Sequence, residues 1–318
     1  MKIGLYDVDS KLPNLALMKI SSYHKSIGDK VEITTPVFAN HDKYYASKIF
    51  NFSEMPNLPK NTEIGGTGYQ VESKLPNEIE SCQPDYSLYP QCDFSWQRFS
   101  VGCIRDCDFC VVRKKEGNIK SVEPMNLNPR GKYIYLLDNN FFAAPSWNES
   151  ILYLIKIRQP VQFEGVDVRI LTGEKAEWLN KINLKGQIHI AWDNPKDDIY
   201  SKLKEIIKIV PAYKLMCYVL VGFNTTKEED LYRIEKLRSL KIDPFVMPYD
   251  KKNIYQKRLA RWCNHKAIFK SVAWEDYKPY KEPVQAWDRN LNGSTICCVI
   301  ILPFSAIFAN VKLFYFSY

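Results

Sequence analysis

The chain has 318 residues, of which 46% are hydrophobic and 14% aromatic, enough to bury a large core in one or two domains. Its net charge of +8 is a mild basic excess, which suits a phosphate-bearing partner without requiring one. Nine cysteines occur in a sequence whose Met1 leads straight into an apolar strand, so we expect a reducing, cytoplasmic location and no disulfide framework.

Residues 1–90 begin with a strand–helix–strand pattern. Residues 2–8 are apolar, Pro13 opens a helix that Gly28 ends, and a second strand begins at Val31. This βαβ pattern predicts parallel strands joined by a right-handed crossover. The first turn, DVDSKLPN, has no glycine-rich loop, so a dinucleotide-binding fingerprint is absent from it.

Strands and helices alternate through the rest of the chain. Repeated βα units at this spacing predict a parallel sheet with helices outside it. A further glycine-rich run, GGTGY, predicts a sharp bend more readily than a ligand-binding loop. The predicted strands are 133–137, 166–171, 187–191, 215–221 and 244–247, and the predicted helices are 174–182, 197–210 and 227–240.

Three cysteines lie together in the string GCIRDCDFCVV. Cys103, Cys107 and Cys110 have the spacing C-x3-C-x2-C, with the aromatic Phe109 just before the last cysteine. Three thiolates on one loop can hold three irons of a 4Fe-4S cluster and leave the fourth iron open to a small molecule.

A structural zinc site is the alternative for these cysteines. Its fourth ligand would be Cys82, Cys92 or a histidine. Structural zinc usually uses paired short spacings, whereas the other close cysteines, at 297 and 298, are adjacent in an apolar tail. The spacing therefore favours the cluster.

The cysteine loop resembles that of the radical S-adenosylmethionine (SAM) superfamily. The resemblance implies that SAM chelates the open iron and that an electron from the cluster cleaves it to a 5′-deoxyadenosyl radical. A flavodoxin-like or ferredoxin-like protein would supply the electron. The implied fold is α/β, with a Rossmann-like βαβ domain at 1–90 and a partial (β/α)6 barrel at 91–275, whose active site lies at the carboxyl ends of the strands.

The same resemblance suggests cofactor-binding residues at the strand ends. Asp138 and Asn139 take the position of the family's Gly-Gly-Glu motif, although the glycines are missing here. Asp167 and Arg169 would share one face of the next strand, with Arg169 paired to the SAM carboxylate. Helix capping is the alternative for Asp138 and Asn139, and a salt bridge for Arg169.

Three further residues complete the predicted SAM site. Asp193 would accept hydrogen bonds from the ribose hydroxyls, or cap the next helix. Gly222 would let the backbone approach adenine, and Phe109 would pack against the cluster and adenine. In the following string, Thr226 and Glu229 form a predicted capping box. The sequence assigns no catalytic side chain.

The first domain resembles the Rossmann-like domain of cobalamin-binding radical SAM enzymes but lacks its Asp-x-His-x-x-Gly motif. His24 has Ser22 and Ile27 at the partner positions, so we expect no cobalamin. Residues 1–81 contain no cysteine, which disfavours the second cluster of the methylthiotransferase relatives.

Two segments leave further interpretations open. Residues 251–270 are rich in basic side chains, which would form a solvated face or a surface for RNA phosphates. Residues 276–318 form a tail of unknown role, and its uncharged run 294–311 would be packed, disordered or in contact with a membrane. The leading hypothesis is a radical SAM enzyme of unknown substrate. The rivals are an iron–sulfur electron carrier or redox sensor, and a zinc-bearing nucleic-acid-binding protein.

Overall fold

The computed structural model describes residues 1–38 and 40–279. The apolar run 294–311 lies outside the described residues, and with it the three alternatives of packing, disorder and membrane contact. Within them, none of the helices combines the length and the hydropathy needed to cross a membrane.

The first part of the chain is a parallel sheet in the order β2-β1-β3-β4. Helix α1 connects β1 to β2 and begins after Asn14, whose side chain accepts a hydrogen bond from the Leu17 N–H. The predicted βαβ pattern is therefore confirmed. The elements are β1 (Lys2–Asp7), α1 (Leu15–Ser26), β2 (Lys30–Ile33), β3 (Lys43–Ser47), β4 (Thr62–Gly65) and α2 (Asn77–Glu80).

The GGTGY run folds tightly onto the backbone that follows β3. A Cβ on Gly66, which has φ +100°, would lie 2.1 Å from the Lys48 carbonyl oxygen. A Cβ on Gly68 would lie 2.4 Å from the Phe50 carbonyl carbon. These glycines are needed for the close approach of two segments of the chain itself, as the prediction of a bend requires.

The second part contains two more parallel sheets, in the orders β5-β8-β9 and β10-β11-β12. A parallel bridge between Val166 and Ile190 links them. The molecule is thus mixed α/β with parallel sheets, as predicted. The elements are β5 (Phe94–Gln97), β6 (Ser100–Val101), α3 (Val112–Glu116), β7 (Lys120–Ser121), β8 (Tyr133–Leu136), α4 (Trp147–Ile157), β9 (Val161–Gln162), α5 (Gly173–Asn180), β10 (Ile188–Ala191), α6 (Ile199–Ile206), β11 (Leu215–Val221), α7 (Lys227–Ser239), β12 (Asp243–Pro248), α8 (Ile254–Asn264) and α9 (Lys266–Ser271).

The predicted strand at 166–171 is wrong. Val166 makes only an isolated bridge, and the chain then turns into a 3-10 helix, Val168–Ile170. The cause is local, because the Asp167 carboxylate accepts a hydrogen bond from the Arg169 N–H and so caps the turn.

Two of the apolar clusters pack the second part of the chain and join it to the first. The larger lies between the sheets of the second part and their helices, and includes the fully buried Ile134, Leu203 and Val219. A second cluster packs Met18 of α1 against Phe94 and Trp96 of β5 and Tyr135 of β8. The two parts of the chain therefore share a buried core.

Candidate functional site

A cavity opens at the carboxyl ends of the strands of the second part, where ligand sites form in parallel α/β sheets. The space between its lining atoms is about 940 Å³, part of which is open to solvent. The predicted site residues that line it are Cys103, Cys107, Phe109, Cys110, Asp138, Asn139, Asp167, Arg169 and Asp193.

The cysteine loop is fixed at its base by backbone contacts. Gly102 has φ +83°, and a Cβ there would lie 2.4 Å from the Asn118 carbonyl oxygen. Arg113 Nη1 donates to the Cys103 carbonyl at 3.1 Å, and the Cys110 N–H donates to the Cys107 carbonyl at 2.9 Å. These contacts hold the three thiols at one wall of the cavity.

Two of the three thiols, those of Cys107 and Cys110, lie in an environment that disfavours negative charge. Burial raises the pKa of Cys107, and burial together with the neighbouring Cys107 and Cys103 raises the pKa of Cys110 to about 11. A cation at the cavity would reverse this effect, since a bound metal ion stabilises thiolates.

Asp138 and Glu116 connect the strand end to the cysteine loop. Burial raises the pKa of Asp138 to about 6, and its carboxylate accepts hydrogen bonds from Ser100 Oγ at 2.6 Å and from the Phe99 N–H. Glu116 accepts hydrogen bonds from both the Gly102 N–H, at 2.8 Å, and Asn139 Nδ2, at 2.7 Å. Asp138 and Asn139 therefore brace the loop.

Asp167 and Arg169 form an ion pair with each other. Arg169 Nε lies 2.7 Å from Asp167 Oδ1, and Arg169 Nη1 lies 3.0 Å from Asp197 Oδ2. Arg105, which the sequence reasoning missed, also binds Asp167 at 3.0 Å. Burial opposes the charge of Asp167, but the hydrogen bonds and charges of Arg169 and Arg105 outweigh it and lower its pKa. The salt-bridge alternative for Arg169 fits this geometry.

Asn140 brings an unsatisfied polar atom to the cavity. The residue is 2% exposed, and its Nδ2 donates to Asp167 Oδ2 at 3.3 Å and lies 3.9 Å from Cys103 Sγ. Within the described part of the chain its Oδ1 is buried without a hydrogen-bond partner. Buried oxygens are normally paired, so a donor on a ligand would satisfy this one.

The opposite wall is formed by strand ends. Asp193 follows β10, and its carboxylate accepts a hydrogen bond from the Leu220 N–H at 3.2 Å. The ring of Phe109 meets that of Phe223, after β11, edge to face at 5.3 Å. Phe109 thus lies in the cysteine loop and also contacts the strand ends opposite it.

Gly222 lies apart from these residues. It has φ +78°, and a Cβ there would lie 2.0 Å from Gln256 Nε2. Its surroundings are Thr225, Asp230 and Gln256, and it is not among the residues that line the cavity. A glycine is needed at this position because the turn after β11 has a positive φ and because the Gln256 side chain lies close to it. The nearby capping box of Thr226 and Glu229 is confirmed.

The structure also places a buried acid–base group beside the cavity. Glu164, a lining residue, lies 2.5 Å from His189 Nδ1, and Tyr218 Oη lies 3.2 Å from the same nitrogen. Gln162 Nε2 donates to Glu164 at 3.2 Å. In the sequence, this group could have been noticed from the polar residues that interrupt the apolar runs VQFEGV and QIHIAW.

In residues 1–38 and 40–279, no three His, Cys, Asp or Glu side chains converge on a point that a single metal ion could occupy. Among known proteins, neither a family model nor a curated sequence matches this chain.

Proposed function

We propose that the protein is a radical SAM enzyme. The observation that carries the proposal is the convergence of the cysteine loop, Asn140 and Asp193 on one cavity at the carboxyl ends of parallel strands. When bound, a 4Fe-4S cluster with SAM would supply an electron for reductive cleavage of SAM and a radical for the modification of a substrate.

The cysteines suit a cluster better than a single zinc ion. Zinc requires its thiolates to converge at about 2.3 Å from one ion. In a 4Fe-4S cluster each cysteine binds a different iron, so the thiols surround a volume instead of a point. The three thiols line one cavity, and their C-x3-C-x2-C spacing favours the second arrangement.

The order of the strands also supports the proposal. The two sheets and the bridge at Val166 give the sequence β5-β8-β9-β10-β11-β12, with all pairings parallel. Helices α4 to α7 connect successive strands from β8 to β12. This order is the one that a partial (β/α)6 barrel requires.

Asn140 and Asp193 are the residues that we assign to SAM. The unpaired Oδ1 of Asn140 would accept a hydrogen bond from the amino group of SAM, and the Asp193 carboxylate would accept from the ribose. Arg169 is assigned to the support of Asp167, because it already donates to two carboxylates. Phe109 would cover the apolar side of the bound cofactor.

Anaerobic reconstitution with iron and sulfide tests the cluster. Wild-type protein should acquire iron, sulfide and broad absorbance near about 400 nm. The triple variant with Cys103, Cys107 and Cys110 replaced by alanine should acquire none of these. Cys82→Ala is the control, since its sulfur contacts the Glu78 carbonyl away from the cavity. Full iron content in the triple variant would refute the proposal, and bound zinc without iron would favour the zinc protein.

SAM cleavage separates the enzyme from an electron carrier. The reduced wild type should yield methionine and 5′-deoxyadenosine, with reduced flavodoxin as electron donor. Asn140→Ala and Asp193→Ala should weaken SAM binding about tenfold or more with iron content unchanged. The exposed Asn183→Ala is the matched control. A cluster that forms but never cleaves SAM would leave the electron carrier as the better explanation.

A further inference from the structure

A row of aromatic rings leads outward from the cavity. Phe109, which lines the cavity, contacts Phe223 at 5.3 Å, and Phe223 contacts Tyr249 at 4.8 Å. Tyr249 follows β12 and is 41% exposed. The row therefore begins at the cavity and ends at the surface.

The row continues onto the first part of the chain. Lys251, two residues after Tyr249, places its ammonium 4.6 Å from the ring centre of Phe52. Phe52 stacks on Phe50 at 5.2 Å and is 61% exposed. Single exposed aromatics are common on protein surfaces, but here Phe52 and Tyr249 each contact a further ring, and Lys251 brings the segment that carries Tyr249 to Phe52. We call the exposed rings of Phe52 and Tyr249, with Lys251, the aromatic rim.

Positive charge extends from the rim along α8 and α9, although Lys266 on α9 is paired with Asp243. Residues 251–274 contain seven basic residues and no Asp or Glu. Two acidic residues lie close in sequence to the aromatic rim, since Glu54 follows Phe52 by two residues and Asp250 directly follows Tyr249. The Asp250 carboxylate accepts a hydrogen bond from the Lys252 N–H at 2.8 Å. The basic residues are Lys251, Lys252, Lys257, Arg258, Arg261, Lys266 and Lys270.

We propose that the aromatic rim and the amino-terminal turns of α8 bind single-stranded nucleic acid. Bases that are not paired or stacked expose flat faces that can lie on Phe52 and Tyr249, while phosphates meet Lys252 and Lys257. A duplex would offer phosphates but would keep its base faces covered, leaving the aromatic rings unused. The inference goes beyond the proposed function and rests only on the rim contacts and the charge distribution.

The test is fluorescence anisotropy with a short fluorescein-labelled single-stranded RNA, repeated with DNA of the same sequence. Phe52→Ala combined with Tyr249→Ala should weaken binding about tenfold or more, because each base stack is lost. Tyr213→Ala is the matched control: Tyr213 is 72% exposed but precedes β11, at the opposite end of the strands. Circular dichroism verifies that each variant is folded.

Salt dependence tests the contribution of the basic residues. Lys252→Ala with Lys257→Ala should make the slope of log affinity against log salt shallower by about 1.4, since each phosphate contact to a single strand contributes about 0.7. Lys204→Ala, on α6 beside Tyr200, should leave the slope unchanged.

The inference is overturned if the RNA fails to bind at low salt, if the rim variant binds like wild type, or if polyglutamate displaces the RNA as well as unlabelled RNA does. Since RNA binding is measured without cluster or SAM, its result is independent of the test of the proposed function.

Discussion

Glu164 and His189 show what a single buried contact contributes. Both side chains are more than nine-tenths buried, and they lie 2.5 Å apart beside the cavity. Removing one partner takes away the shortest hydrogen bond of the other, which keeps longer contacts, such as that with Tyr218 Oη for His189 or that with Gln162 Nε2 for Glu164, each at 3.2 Å. The pair therefore stabilises the fold, independently of any reaction in the cavity beside it.

We predict that Glu164→Leu lowers the free energy of unfolding by about 1–3 kcal/mol, as the loss of one partner of a buried hydrogen bond does. The double variant Glu164→Leu, His189→Leu should recover part of that loss. Urea unfolding followed by circular dichroism measures both. Glu205→Leu is the control and should change little, because its pair with Lys208 is exposed. Equal effects of Glu164→Leu and Glu205→Leu would contradict the role of the pair.

Asp138 predicts a pH dependence of stability. Burial raises its pKa to about 6 from the ordinary 3.8, despite the hydrogen bonds from Ser100 and Phe99. Between about pH 4 and 6 the folded state therefore holds a proton that the unfolded state has lost, so this site's contribution to stability falls as pH rises. Above about pH 6 the contribution is constant.

Asp138→Asn should remove this effect, because the amide stays neutral and keeps one oxygen acceptor. The free energy of unfolding of wild type minus that of the variant should decrease as pH rises from about 4 to about 6 and then level off. Urea titrations at several pH values measure the difference, in which the shared contributions of other carboxyls cancel. A difference that is flat across this range would show that Asp138 titrates with an ordinary pKa.

At the scale of elements, the turn after β9 depends on Gly165. The residue has φ +66°, and a Cβ there would lie 1.9 Å from the Asp138 carbonyl oxygen. The segment after β9 and the segment after β8, which both line the cavity, therefore lie so close together that a side chain on Gly165 would not fit between them.

Gly165→Ala should destabilise the protein by more than the conformational cost of a positive φ, which is about 1–2 kcal/mol. Gly28→Ala isolates that cost, since Gly28 has φ +88° and nothing within 4 Å of its Cβ position. Urea unfolding of both variants measures the difference between them. If the two substitutions cost the same, the contact with Asp138 relaxes and does not fix the distance between the strand ends.

The sequence predicted the elements where local pattern and final packing agree. The strand at 215–221 and the capping box at Thr226 were correct because an apolar run and a cap are visible in neighbouring residues. The strand at 166–171 was wrong because the side chain of Asp167 bonds to its own backbone two residues on, which apolar content does not reveal.

The same distinction applies to the site. Residues from separate strand ends were predicted to meet because parallel strands end at one edge of a sheet, and they line one cavity. The contact of Arg105 with Asp167 and that of His189 with Glu164 could not be predicted, because the partners lie far apart in sequence. Gly222 was assigned to adenine, although the nearby Gln256 accounts for it.

For the whole molecule, one apolar cluster crosses the predicted division at residue 90, between the separate clusters of the two parts. Met18 packs with Phe94, Trp96 and Tyr135, and Trp96 Nε1 donates to the Pro13 carbonyl at 3.0 Å. Lys114 also pairs with Glu72 at 2.6 Å, next to the cysteine loop. Separate unfolding of either part would expose this shared cluster, so we expect a single cooperative transition.

Leu5→Ala tests this cooperativity. Leu5 is fully buried in a cluster made only of residues from the first part, whereas every tryptophan of the chain follows residue 90. If the parts unfold together, the substitution should lower the urea midpoint seen by tryptophan fluorescence as much as that seen by circular dichroism, with a loss of about 2–5 kcal/mol. Leu203→Ala, in the core of the second part, should likewise move both probes together. If the tryptophan fluorescence of the Leu5→Ala variant instead keeps the wild-type urea midpoint, the first part of the chain unfolds alone. The contacts of Met18 and Glu72 would then not couple the first part to the part that carries the cavity.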